Sequence, residues 1–108
     1  MVVRDKVGRK RYIVFSVTTE SAPSHDDFER AAVSLLREKG VLRSVRPKLI
    51  DFDGRVGILR CAHTGKDEAI DVLNSMTDVM GAKVRVETVK TSGTLRKVRE
   101  VAKGLASG

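Results

Sequence analysis

Ser92, Gly93 and Thr94, followed by Arg96, Lys97 and Arg99, are the residues of this chain best suited to hold a phosphate. Two hydroxyls and a glycine amide at the start of a helix can donate to an anion, and the positive end of the helix dipole favours it. Gly93 is expected to turn the chain with positive φ and to let a partner approach closely. The cations that follow supply salt-sensitive affinity for a polyanion by releasing condensed counterions. A strand must deliver the chain to this turn, because Val84 and Val86 alternate with Arg85 and Glu87 just before it. A helix must follow, with Leu95, Val98 and Val101 or Ala102, and then Leu105, on its apolar side.

Groups able to make or break bonds are thin. His25 stands beside Asp26 and His63 follows a strand, and neither is coupled to a nucleophile in the sequence, so both read as surface histidines. Asp51 and Asp53 form a D-x-D pair that invites a metal, but Asp53 is needed by the Asp53-Gly54 turn and Asp51 reads as solvated. Cys61 lies in a strand and reads as a small core residue. There is no phosphate loop, dinucleotide fingerprint or metal-binding cluster in the sequence. We therefore expect no catalytic residue, no metal ligand and no cofactor bound by the protein.

The net charge is +7 over 108 residues, and its distribution matters more than its size. Met1–Tyr12, with Arg4, Lys6, Arg9, Lys10 and Arg11 against Asp5, carries +4. Lys90–Gly108, with Lys90, Arg96, Lys97, Arg99 and Lys103 against Glu100, carries another +4, and the residues between them net −1. Basic ends on a neutral body point to a nucleic-acid partner. A single cysteine excludes an internal disulfide and fits a reducing compartment. No apolar run nears the ~18 residues of a membrane span, and no signal-peptide pattern opens the chain, so a cytoplasmic protein without membrane contact is expected.

Aromatic residues make up 4% of the chain, so Val, Leu, Ile and Ala must build the core. We read one domain over residues 1–108, with a basic arm at 1–10 and an extra C-terminal helix at 94–105. Arg11 to Thr18 is a strand with Ile13, Phe15 and Val17 on one face and Tyr12, Val14 and Ser16 on the other. Ser24 caps a helix whose stripe is Phe28, Ala31, Ala32, Leu35 and Leu36, and Gly40 ends it. Ser44 to Phe52 is a second strand, placed at a sheet edge because Pro47 lies inside it. Asp53-Gly54 reads as a type I′ hairpin turn leading into a third strand, Arg55 to Ala62. Gly65 to Met80 reads as a second helix, buried through Ala69, Ile70, Leu73, Met76 or Thr77, and Met80, and ended by Gly81. Lys83 to Lys90 is the fourth strand.

Right-handed crossovers turn this order into an α+β, ferredoxin-like (RRM-like) sandwich. It has a four-stranded antiparallel sheet in order 4-1-3-2, two helices on one face, and the C-terminal helix in addition. Strands one and four are then antiparallel neighbours, so Arg9-Lys10-Arg11 and Ser92-Gly93-Thr94 should meet at one end of the sheet. The third strand carries no aromatic residue, which argues against base stacking as in common RNA-recognition modules. The open face bearing Tyr12 and Val14 is instead the natural cover for Leu95 and Val98. Backbone and shape recognition remains, with Arg4, Lys6, Arg9, Lys10, Arg11, Lys90, Ser92, Gly93, Thr94, Arg96, Lys97 and Arg99 as candidate RNA contacts.

RYIVFSV near the start, the Asp-Gly hairpin leading into VGILR, and VKTSGTLRKVRE resemble the ribonuclease P protein component 2 family over nearly the whole chain. The resemblance implies a ferredoxin-like sandwich with additional helices and no stacking surface. It also implies a non-catalytic subunit of the ribonucleoprotein that removes 5′ leaders from precursor tRNA, where the RNA and its bound Mg2+ perform the hydrolysis. The expected partners are the ribonuclease P RNA, a barrel-shaped partner subunit and a second copy of the chain. The short polar Leu105–Gly108 favours an archaeal-type member. Two other classes compete: an ACT-type regulatory domain binding a small molecule near Gly40 or Gly81, and an adapter that touches protein alone.

Overall fold

The structure, a computed structural model, describes residues 10–107. Five antiparallel strands, β1 (Lys10–Thr19), β2 (Lys48–Phe52), β3 (Val56–Ala62), β4 (Asp78–Val79) and β5 (Ala82–Ser92), lie in the order β2-β3-β1-β5-β4. The helices are α1 (His25–Glu38), a single turn α2 (Leu42–Val45), α3 (Lys66–Ser75) and α4 (Leu95–Ser107).

The alternation of β1 divides the molecule into two layers of packing. Ile13, Phe15 and Val17 face a core shared with Phe28, Ala32 and Leu36 of α1 and Ala69, Val72 and Leu73 of α3. Val14 faces the opposite way, into a smaller cluster with Val56, Ile58 and Val98, against which Tyr12, Leu95, Val101 and Ala102 also pack. The C-terminal helix therefore covers the sheet face expected of it. Leu105 departs from its stripe and stays 38% exposed.

Local signals account for the ends of α1. The Ser24 hydroxyl accepts the Asp27 N–H at 3.2 Å. At the other end Gly40 N–H donates to Arg37 C=O and Val41 N–H to Leu36 C=O, the two bonds of a Schellman motif.

Four expectations need correction. The second strand starts at Lys48 and not Ser44, because Leu42–Val45 close a helical turn that ends on Arg46 in left-handed geometry (φ 48°). Pro47 thus precedes β2, which nonetheless forms an edge.

The β2–β3 turn has Gly54 at φ 98° while Asp53 stays outside the left-handed region, the sign pattern of a type II′ turn with Gly54-Arg55 at its centre. Asp53 serves it from the first corner, its Oδ1 accepting from Arg55 N–H at 2.9 Å and Val56 N–H at 2.8 Å.

The helix read over Gly65–Met80 stops at Ser75, and Asp78–Val79 become a fifth strand hydrogen-bonded to β5. Met80 (φ 51°) and Gly81 (φ 88°) form its turn with the sign pattern of type I′, leaving Met80 69% exposed while Val79 takes the buried place. Last, Lys10 belongs to β1 rather than to an arm.

The Asp53 turn is pH-linked. The Val56 and then the Arg55 N–H bonds hold its carboxyl below the ordinary 3.8. A depressed carboxylate contributes stability above its unfolded value, and that stability is lost as pH falls through the folded one. Asp53→Ala is expected to lower the melting temperature at pH 7 and to flatten its decline below about pH 4. Parallel acid dependence in both proteins would contradict this role.

Candidate nucleic-acid interface

The start of β1 and the end of β5 lie side by side, because Tyr12 pairs with Ser92 and Ile13 with Thr91. Lys10 and Arg11 therefore come to the turn that carries Ser92, Gly93 and Thr94. A Cβ placed at Gly93 would stand 3.3 Å from Arg11 Nη1. Gly93 is not in the left-handed region, contrary to expectation, so its value here is the room it leaves for that guanidinium.

The Ser92 hydroxyl accepts the Thr94 N–H at 3.2 Å and lies 3.4 Å from Thr94 Oγ1. Its own O–H remains able to donate to Thr94 or to an incoming phosphate oxygen. Thr94 is exposed and Ser92 half-buried, and Arg96 and Lys97 are exposed in the first turn of α4.

His63 holds Arg11 in place. Arg11 Nε donates to His63 Nδ1 at 3.1 Å, so the imidazole accepts there and carries its proton on Nε2. With Nε occupied, the two terminal nitrogens of the guanidinium are the groups left to face the turn. The sequence reading of His63 as an uncommitted surface residue is thus corrected. No local pattern announces this bond, which joins residues 52 apart.

His25 is also committed, with Nε2 3.0 Å from Leu49 C=O, while Glu29 Oε2 accepts Leu49 N–H at 2.9 Å. His25, Asp26 and Glu29 do bring potential ligand atoms within 4.8 Å of one another, but two of the three side chains serve the β2 backbone.

Not every candidate gathers at the turn. Arg99 Nε lies 3.3 Å from Asp51 Oδ2, a half-exposed ion pair that ties α4 to β2 and takes Asp51 out of plain solvation. Lys90 is exposed opposite Val14, on the face covered by α4. Arg4, Lys6 and Arg9 lie outside the described residues. Sequence reasoning missed Lys48 and Arg60, which the strand register sets opposite one another at this same end of the sheet. The expected order 4-1-3-2 sets the two strands side by side, but a turn centred on Asp53-Gly54 would place Lys48 opposite Leu59. The observed turn on Gly54-Arg55 and the irregularity between Leu49 and Asp51 place it opposite Arg60. The glycines available to a small-molecule site are already accounted for, Gly40 in the cap of α1 and Gly81 in the β4–β5 turn.

Beneath Arg11, Cys61 is buried. Burial pushes its thiol up to about 11, against the opposing pull of the Lys66 and Arg11 charges. A thiol-specific reagent at pH 8 is expected to label Cys61 at the rate of unfolding and not faster. Rapid labelling of the native protein would show that this end of the core is open.

Residues 11–103 match the family model described as the Rpp14/Pop5 family. The chain is 34% identical over 95 residues to ribonuclease P protein component 2 of Archaeoglobus fulgidus, covering 84% of this chain and 85% of that one. It is 31% identical over 103 residues to the Pyrococcus furiosus protein of the same name, covering 90% and 82% respectively. Among solved structures, a chain of the cryo-EM structure of yeast ribonuclease MRP superposes with a TM-score of 0.66 at 16% identity, over 92% of this chain and 89% of that chain.

Proposed function

The chain belongs to the Rpp14/Pop5 family, and from that premise we propose that it is a protein subunit of an archaeal-type ribonuclease P. It binds and stabilises the RNA of that ribonucleoprotein during removal of 5′ leaders from precursor tRNA. The observation that carries this reading is the meeting of Lys10 and Arg11 with the Ser92–Thr94 turn, where two basic segments far apart in sequence converge. There the Arg11 fork and the turn's hydroxyl and amide donors suit a phosphate oxygen, and Arg96 and Lys97 add charge that needs no sequence-specific partner.

The frame β1-α1-β2-β3-α3-β5 is in this reading a ferredoxin-like sandwich, to which α2, β4 and α4 are additions. With α4 over the second face, the sheet offers bases no open stacking platform. The chain contributes binding and shape, and the magnesium-dependent hydrolysis belongs to the RNA. A barrel-shaped subunit and a second copy of this chain are the protein partners, in the cytoplasm. No helix among the described residues is long and apolar enough to cross a membrane.

Reconstitution tests the proposal. Ribonuclease P RNA, the barrel-shaped subunit and this chain should together cleave precursor tRNA faster than the same mixture lacking this chain. Equal rates with and without it would reject the assignment.

A further inference from the structure

The pairing register sets four residues in one row across the sheet. Lys48 of β2 lies opposite Arg60 of β3, Arg60 opposite Tyr12 of β1, and Tyr12 opposite Ser92 of β5. Directly opposed residues of an antiparallel pair point to the same face, so all four side chains emerge on the face that α4 packs against. At about 4.8 Å per strand the row spans about 14 Å. Lys10, two residues before Tyr12, emerges beside it on the same face, opposite Ala62.

The Lys48–Arg60 pair is unfavourable for the fold by itself. Like charges directly opposed across two strands repel. Arg60 is half-buried, which strengthens that repulsion by lowering the local dielectric, and Lys48 is exposed. A carboxylate would be expected to relieve them, yet β1 and β3 contain none. The single acid of β2, Asp51, is paired with Arg99. Among the described residues no ion pair engages Lys48 or Arg60, and two opposed cations so placed are what a bound anion would stabilise.

We propose that Lys48 and Arg60 form a second backbone-phosphate site. The Arg11 and Ser92–Thr94 turn is the first, and the RNA strand runs between them along the row, past Lys10 and Tyr12. The inference rests on the RNA-binding reading above and adds a direction to it. The strand crosses the end of the sheet at right angles to β1 and leaves over the β2 edge.

Lys48→Glu separates this role from a structural one, because it turns a repulsive cross-strand pair into a complementary one. We expect the Lys48→Glu chain to melt at the same temperature as the unaltered protein or higher. Its affinity for ribonuclease P RNA, measured by filter binding over a series of potassium chloride concentrations, should fall about tenfold or more. The slope of log affinity against log salt should shrink by about one to two, since the lysine is removed and Arg60 is diverted to the new carboxylate. Arg85→Glu makes the same charge change on an exposed residue at the other end of the sheet, opposite Thr18, and should leave the slope unaltered.

Binding by Lys48→Glu equal to that of the unaltered chain would overturn the second site. So would an equal loss in Arg85→Glu, which would reduce the effect to net charge. If Lys10 and Arg11 variants lose affinity while Lys48→Glu does not, the first site stands and the track alone fails. If the unaltered chain does not bind the RNA, both readings fall together.

Discussion

Exchange of both Lys10 and Arg11 for glutamate is expected to lower affinity for ribonuclease P RNA by about 100-fold. Two charge-assisted phosphate contacts at ~1.5 kcal/mol each amount to about 3 kcal/mol, and each 1.4 kcal/mol is a factor of ten. The salt slope should shrink by about 1.4 to 1.8, as expected when two phosphates of a single-stranded or a duplex backbone regain their counterions. His63 provides an internal control, because among the described residues its side chain bonds Arg11 and no other candidate phosphate contact. His63→Ala should weaken binding a few-fold in the unaltered chain and not at all once Arg11 is alanine. His63→Asn, which keeps a neutral acceptor near the Nδ1 position, should recover part of the loss. Additive effects of the Arg11 and His63 changes would mean that His63 does not act through Arg11.

Gly57→Ala should destabilise the fold by overpacking its core. Gly57 pairs with Phe15 on one side and Phe52 on the other. A Cβ there would lie 2.4 Å from Phe15 Cζ and 2.9 Å from both Phe15 Cε2 and Phe52 Cδ1. Neither phenylalanine can withdraw easily. The Phe15, Phe28 and Phe52 rings pack at centroid separations of 5.0, 6.1 and 4.7 Å, and Phe15 and Phe28 are fully buried. Overpacking of this kind costs about 1–3 kcal/mol, occasionally more, which for a domain of this size is a fall of about 10–20 °C in melting temperature at the upper figure. Phe15→Leu in the Gly57→Ala background should restore part of it, and a melting temperature unchanged by Gly57→Ala would show that the ring cluster can shift.

The parts of this structure legible in the sequence were those where one local signal had one reading. The alternation of β1 specified both packing layers, and with them the sheet face against which Val98 of α4 is buried. Ser24 and Gly40 bounded α1 by capping chemistry. The β4 hairpin was hidden by a coincidence of spacing, because Leu73, Met76 and Met80 follow a helical period as well as they follow the observed chain. What decided against the helix was its final turn: Asn74-Ser75 and Thr77-Asp78 favour a stop, and Gly81 could supply one of the two positive-φ corners that a type I′ turn needs. At the candidate interface, Arg11 and the Ser92–Thr94 turn were found from charge and topology alone. His63, Lys48 and Arg60 were not: the His63 bond joins residues 52 apart with no local pattern, and the Lys48–Arg60 pairing depends on the type of the β2–β3 turn and on the irregularity between Leu49 and Asp51.

The treatment of the β2 edge has a consequence for assembly. An edge strand presents unpaired backbone groups that can recruit another strand, from a neighbouring copy or an unfolded chain. Here Leu49 offers its outward N–H to Glu29 and its C=O to His25, both on α1. The α1 side chains thus act as a clasp that closes this margin to β-sheet extension. A neighbour that meets this edge at Leu49 finds the side chains of α1 in place of open backbone groups, which disfavours strand addition there.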